Sequence, residues 1–440
     1  MREVPGSSPG LPIVPPSGAP VNLYDLVYAL LVGVTAPWWA RKSRNDWRQR
    51  LGHIDPLAPK GPRPRVLIHA VSVGEVSALR SLIPLLTDDI EPIVAVTTDT
   101  GIARARTLFS DTCPVVRYPL DFSRCVARFL DAVEPDAAAL VELEVWPNLI
   151  SQASKRGIPV AVINGRLSEK SFKGYRKLRP VLKPVFGSLA GAAVQDETYR
   201  DRFVTMGVQP ERCVVTGSMK WDAVDLDGAA TGPGEQALEI ASALGIDRSK
   251  PLVVAGSTAE GEEALLHEAC PDGVQLLCAP RHPERFDQAA AALPGCVRRT
   301  TPGSGDPASG RFLLDTIGEL GSAYELAAVV VLGRTFTPLR GSDPTEPIAL
   351  GKPVVMGPSV ENFASIVGVL SEAGAIVRTD EAGLGVVLER LVGDEQERME
   401  MARRGIGCVR EHQGASERHA EMLVRLANGD RGWFWRLRSV

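Results

Sequence analysis

What most limits the fold of this chain is a unit that recurs along it: a short apolar run, a polar loop with Gly, Ser or Thr, then an amphipathic segment. Val66 to Leu86, VLIHAVSVGEVSALRSLIPLL, is the first example. Val66 to Val71 is too brief for a lone helix and follows the Pro-rich GPRPR, so it reads as a buried strand. Leu79, Leu82, Ile83 and Leu86 then recur at helical spacing on one face. Strand, helix, strand, helix builds a parallel sheet. The polar loops at the carboxyl ends of such strands are where open α/β sheets bind ligands.

Glu75 in Ser72-Val73-Gly74-Glu75 has two readings. In a capping box Ser72 accepts from the Glu75 N–H and the Glu75 carboxylate returns a bond to the Ser72 N–H. Alternatively Glu75 is a general base, kept ionised by the positive end of its own helix.

The pattern continues through PIVAVTT, VVRYPLD and Ala137 to Val141. The last of these strands delivers Glu142 and Glu144, then Trp146-Pro147-Asn148. Either these acids belong to a site, or Trp146 and Pro147 cap the next helix while one glutamate pairs with an arginine. VAVINGRLS (160–168) runs into a loop with Asn164, Arg166 and Ser168. Lys170, Lys173, Tyr175, Arg176, Lys177, Arg179 and Lys183 follow, a solvated helix face or a surface for anionic lipid headgroups.

Ala223 to Ser249 is rich in Gly, Asp and Ala, a crossing between domains. PLVVAGSTAEGEEALLHEA (251–269) then echoes the opening stretch, with Ser257 and Thr258 expected as helix caps or an anion site. Pro280-Arg281-His282-Pro283 puts a guanidinium, suited to bidentate phosphate contact, on a stiff loop that is otherwise a surface turn. Glu346 opens a helix, where its carboxylate either favours the dipole or accepts from a ribose diol. GxGxxG, GxxxxGK[ST] and GxSxG do not occur, which removes support for dinucleotide-dehydrogenase, P-loop and hydrolase readings.

At 440 residues the chain exceeds one ordinary core, and a net charge of −4 gives no basic field for nucleic acid. The seven cysteines form no CxxC pair or metal-ligand cluster, so reduced, buried thiols are expected. Val21 to Ala40 has an uncharged apolar core from Leu26 to Ala40, ends in Trp38-Trp39 and is followed by ARKSRNDWRQR. Basic residues after the apolar core indicate an uncleaved anchor with the rest of the chain on the cytoplasmic face; a core helix of the first domain is the other reading.

The ordered strings HAVSVGEVSA, TTDTG, ELEVWPNLI, NGRLSEKSF, VTGSMKWD, AGSTAEGEE, PRHPERF, TIGEL, PTEPIALGKPVVMGP and NF (362–363) resemble bacterial 3-deoxy-D-manno-octulosonic acid (Kdo) transferases. The resemblance implies an α/β fold of the GT-B kind, two Rossmann-like domains facing across a cleft. The expected boundaries are a start and membrane-anchor segment 1–45, an acceptor domain 46–225, a CMP-sugar donor domain 226–415 and a C-terminal tail 416–440. It also implies inverting transfer of Kdo from CMP-Kdo to a lipid A precursor at the inner membrane, without metal or cofactor. Glu75 would be the base. Ser257, Thr258, Pro280, Arg281, Gly318, Glu346 and Asn362 would bind the donor, with Ser72, Gly74, Glu142, Glu144 and Arg166 on the acceptor side. The chain departs from the family's GGHNPLEP, having Arg340-Gly341-Ser342-Asp343-Pro344-Thr345-Glu346-Pro347 there. A sugar-nucleotide 2-epimerase of the same architecture and a non-catalytic membrane scaffold are the alternatives.

Overall fold

The computed structural model describes residues 25, 46–143, 145–226 and 232–430. The chain divides into two units, residues 1–223 with 413–440, and residues 224–412. The first contains β1 (Arg65–Ala70), β2 (Glu91–Val96), β3 (Val115–Arg117), β4 (Ala137–Val141), β5 (Val160–Gly165), β6 (Gly191–Val194) and β7 (Cys213–Val215). All pair in parallel, in the order β3-β2-β1-β4-β5-β6-β7. The winding reverses between β1 and β4, the switch point at which such sheets open a crevice.

The continuous apolar runs follow from burial of both sheet faces. Along β1, Val66, Ile68 and Ala70 enter one core while Leu67 enters the other. The first core is closed from an unexpected source. Residues from 416, expected as a tail, instead belong to the helix Ala415–Ala427, which buries Met422, Leu423 and Leu426 against Val66 and Ile68. Asp222 accepts from the Gly414 and Ser416 N–H groups at 2.7 and 2.6 Å, so the carboxylate that caps this helix comes from far away in the sequence. Buried His419 accepts the Asn164 N–H at Nε2, 2.8 Å, and burial pushes its pKa down to about 4. The second unit accordingly ends at 412 rather than at the expected 415.

The second unit contains β8 (Leu252–Thr258), β9 (Gln275–Pro280), β10 (Val297–Arg298), β11 (Arg311–Leu313), β12 (Val329–Leu332), β13 (Val354–Met356) and β14 (Ile376–Arg378). Its parallel order is β10-β11-β9-β8-β12-β13-β14, with the reversal between β8 and β12. Leu266, Leu384, Leu388 and Leu391 cover one face of this sheet. All seven cysteines are free, and six are buried.

Among the described residues no helix is long and apolar enough to cross a membrane. Apart from Asp25, the apolar segment 21–40 lies outside the described residues, as does Glu144. Asp25 accepts from the Ser123 N–H and hydroxyl at 2.8 and 2.5 Å and from Asn148 Nδ2 at 3.1 Å. This supplies the start of the helix Ser123–Val133 with a carboxylate that its own N-cap residue, Phe122, does not provide.

Candidate active site

In the first unit the side chains of interest gather at the switch point. Glu75 follows β1 on the short helix Val73–Ala78, and Glu142 follows β4. The helix is capped as its residues predict, Ser72 Oγ accepting from the Glu75 N–H at 3.3 Å. The carboxylate of Glu75 takes the Val71 N–H at 2.7 Å and the Ser72 hydroxyl at 2.9 Å. It is only 8% exposed. Burial is the largest influence on it and, with the nearby Glu142 charge, pushes its pKa up to about 7 against the Val71 and Ser72 bonds. A carboxyl that titrates near neutrality is suited to accept a proton from a hydroxyl and release it again.

Glu142 itself lies 4.0 Å from Arg166, so the pairing anticipated for one of these glutamates is present. Its backbone is left-handed, φ 57°, as is that of Asn164 (φ 51°) at the end of β5. Trp146 occupies the N-cap position of the helix Pro147–Lys155, but the cap bonds come from Asp121, which accepts from the Asn148 and Leu149 N–H groups at 3.1 Å each. Trp146 stands beside buried His69, which stacks on Tyr118 with ring centroids 4.0 Å apart. Burial pushes the His69 pKa down to about 3, so the imidazole is neutral, and its Nε2 shares a hydrogen bond of 3.0 Å with the Thr97 hydroxyl. Gly74 is exposed beside Glu75.

In the second unit a cavity of about 270 Å³ opens at the switch point. Of the expected donor-side residues, Ser257, Arg281, Glu346 and Asn362 line it. Thr258, Pro280 and Gly318 do not. Thr258 is the last residue of β8, fully buried, and its hydroxyl donates to Glu263 at 2.7 Å, so it caps no helix. Ser257 is not a cap either, because the helix Glu262–Ala269 starts after Gly261 without a side-chain cap bond. Pro280 ends β9 in the sheet, and Gly318 (φ 95°) makes the turn before the helix Leu320–Glu325.

Sequence reasoning missed Tyr324 and Arg334 in the same cavity, where Asp343, one of the departures from the family pattern, joins them. Tyr324 is buried against Gly256, where a Cβ would stand 1.9 Å from its hydroxyl. Burial, reinforced by the Glu346 and Asp343 charges, holds the phenol above its ordinary range, so it stays a neutral donor. Gly321 similarly leaves room for the Glu346 carboxylate, which a Cβ there would approach to 2.8 Å. Two buried acids brace the cavity from behind. Glu262 accepts from the N–H groups of Ala259, Arg334 and Phe336 at 2.8, 2.6 and 3.1 Å. Glu263 holds Arg285 through two bonds, 3.1 and 2.9 Å. In sequence this pair reads only as acids favouring a helix dipole, since their partners lie on other loops.

Cationic, carboxylate and hydroxyl groups that converge at strand ends suit a ligand with both anionic and diol groups. The chain is thus a two-domain protein with two doubly wound parallel sheets. It shares this fold with the UDP-GlcNAc 2-epimerase of Neisseria meningitidis, with a TM-score of 0.56 at 14% identity over 82% of this chain and 100% of that one. The sequence model of the 3-deoxy-D-manno-octulosonic-acid transferases (kdotransferases) matches residues 45–223. A 3-deoxy-D-manno-octulosonic acid transferase from Haemophilus influenzae is 30% identical over 401 residues, 86% of this chain and 91% of the relative. One from Bordetella pertussis is 30% identical over 430 residues, 90% and 98% of the two chains. The chain belongs to the Kdo transferase family.

Proposed function

We propose that this enzyme transfers Kdo from CMP-Kdo to a lipid A precursor with inversion. The observation that carries the donor side is the meeting of Ser257, Arg281, Glu346 and Asn362 around one cavity at the second switch point. Glu75 takes the proton of the acceptor hydroxyl as its oxygen attacks the anomeric carbon, and the bond from that carbon to the CMP phosphate breaks. Arg281 stabilises the departing phosphate, and Glu346 accepts from the ribose hydroxyls. No metal or cofactor enters this reading. Glu142 and Arg166 border the acceptor hydroxyl.

Arg281→Lys is expected to weaken CMP binding about tenfold, because a point charge does not reproduce the planar fork. Glu346→Gln should weaken CMP but not inorganic phosphate, since the lost acceptor faces the ribose. Both are read by calorimetric titration, and unchanged CMP affinity in both variants would remove them from the site.

The same reading places the enzyme at the cytoplasmic face of the inner membrane. Supporting it are the apolar segment 21–40, the arginines after it, and the basic helices Glu169–Lys177 and Arg179–Gly187, which bury little and expose Leu178 and Val181. Deleting residues 1–45 should move the protein to the soluble fraction with CMP binding intact. Asp25 is lost with the segment, so the Ser123 helix start should weaken by roughly 1 kcal/mol. A truncated protein that still sediments with membranes would refute the anchor.

A further inference from the structure

The cavity of the second domain holds two arginines, Arg281 and Arg334, where the phosphate of a nucleoside monophosphate calls for one. We propose that Arg334 binds the carboxylate of the transferred sugar acid, and so selects a donor whose sugar carries an anion at its anomeric carbon. This rests on the CMP-Kdo reading above.

Position is the first argument. Arg281 follows β9, Ser257 is the penultimate residue of β8, and Arg334 lies two residues beyond β12, which pairs with β8 through Leu332 and Gly256. Adjacent strands are about 4.8 Å apart, so the two arginine backbones stand roughly 10 Å from one another on either side of Ser257. Side chains as long as arginine converge from there onto a single ligand.

Backbone conformation is the second. Arg334 has φ 62°, a left-handed conformation that glycine adopts freely and a long side chain does not. Its N–H is held by the buried carboxylate of Glu262 at 2.6 Å and its carbonyl by the Gly341 N–H at 2.9 Å. Before it, Gly333 lies so close to β8 that a Cβ would come within 2.4 Å of Thr258 Cα. A side chain kept on a strained, rigidly held backbone beside a cavity points to use of that side chain.

The third is the unused bonding capacity. Arg334 Nη2 donates to the Leu339 carbonyl at 3.3 Å, its one side-chain bond among the described residues. No ion pair to Arg334 occurs among them, although Asp343 and Glu346 line the same cavity. Asp343 is partly engaged, its Oδ1 accepting from the Thr345 N–H and hydroxyl at 3.0 and 2.7 Å. The remaining guanidinium donors form a planar set that matches a carboxylate. In a nucleotide-linked ulosonic acid, phosphate and carboxylate are attached to the same carbon. Two anions on one atom meet two arginines flanking one strand end, whereas an aldose nucleotide would leave Arg334 without a partner.

The test compares initial rates with CMP-Kdo, and inhibition by CMP, for the full-length parent, Arg334→Gly and Arg334→Gln. Glycine suits the backbone and glutamine keeps part of the side chain, and a thermal transition confirms that each is folded. Both variants should raise KM for CMP-Kdo about 10- to 100-fold, the range for a hydrogen bond between charged groups, and leave Ki for CMP unchanged. The methyl ester of CMP-Kdo, a poor donor for the parent, should be used by the variants about as well as the acid. Equal weakening of CMP and CMP-Kdo would assign Arg334 to the phosphate and overturn the proposal; so would unchanged constants. A parent that binds CMP but does not transfer Kdo would overturn the donor reading itself, a failure visible without any variant.

Discussion

Glu75→Gln is expected to lower Kdo transfer by about 10²–10⁴-fold, the usual worth of general base catalysis, while the protein folds and binds CMP as the parent does. The geometry explains why the fold survives. The amide oxygen can still accept the Val71 N–H, and the amide nitrogen can donate to Ser72 Oγ, replacing the two bonds of 2.7 and 2.9 Å. The amide cannot accept a proton, however. Because burial raises the Glu75 pKa from 4.5 to about 7, the parent's kcat/KM should rise with pH through an apparent pKa near 7, and the residual activity of the variant should lack that step. The stability linkage has the opposite sign to that of a salt-bridged carboxylate. A folded-state pKa above the unfolded value means that ionisation opposes folding, so the parent should lose up to roughly 3 kcal/mol as pH rises from 4.5 through 7. The glutamine variant has no such loss. A variant that transfers Kdo at the parent rate would leave Glu75 as a helix cap and direct attention to Glu142.

The second large effect lies far from the chemistry. Removing residues 414–440 should abolish the cooperative unfolding transition of the first domain. Met422, Leu423 and Leu426 are buried in its core, and burial of each such side chain is worth about 1.5–3 kcal/mol. Their joint loss equals the whole stability of many domains. The deletion also leaves Asp222 without the Gly414 and Ser416 N–H groups and Asn164 N–H without His419. Leu423→Ala is the milder control, with an expected loss of about 2–5 kcal/mol in a denaturant titration. An unchanged first-domain transition in the deletion protein would show that the helix is dispensable.

Both sheets are legible in the sequence, because a strand buried on two faces must be a continuous apolar run and its crossover helix must be amphipathic. Legible too are the strand ends near which Glu75, Ser257, Arg281 and Glu346 fall, since polar residues at the end of such a run have only the strand ends to occupy. Ser257 and Thr258, expected as helix caps in the loop, are instead the last two residues of the strand. The apolar run does not reveal where a ladder stops, and β8 continues through Thr258 with a register irregularity after Gly256. Reading 416–440 as a tail failed for a related reason: the amphipathic helix Ala415–Ala427 displays an apolar face, but nothing local names the sheet it covers.

The amino-acid sequence alone determined the parallel α/β class, a two-part division within the crossing 223–249 and the kinds of group at each strand end, since all three follow from local periodicity and residue chemistry. Tertiary structure alone decided which of those groups share a cavity, that burial pushes the Glu75 carboxyl up to about 7, that Glu262 and Glu263 are buried with partners on other loops, and that Arg334 lines the same cavity as Arg281. Each depends on desolvation or on partners distant in sequence, such as Glu142 beside Glu75 or Glu262 on the N–H of Arg334, and neither quantity exists until the chain has folded.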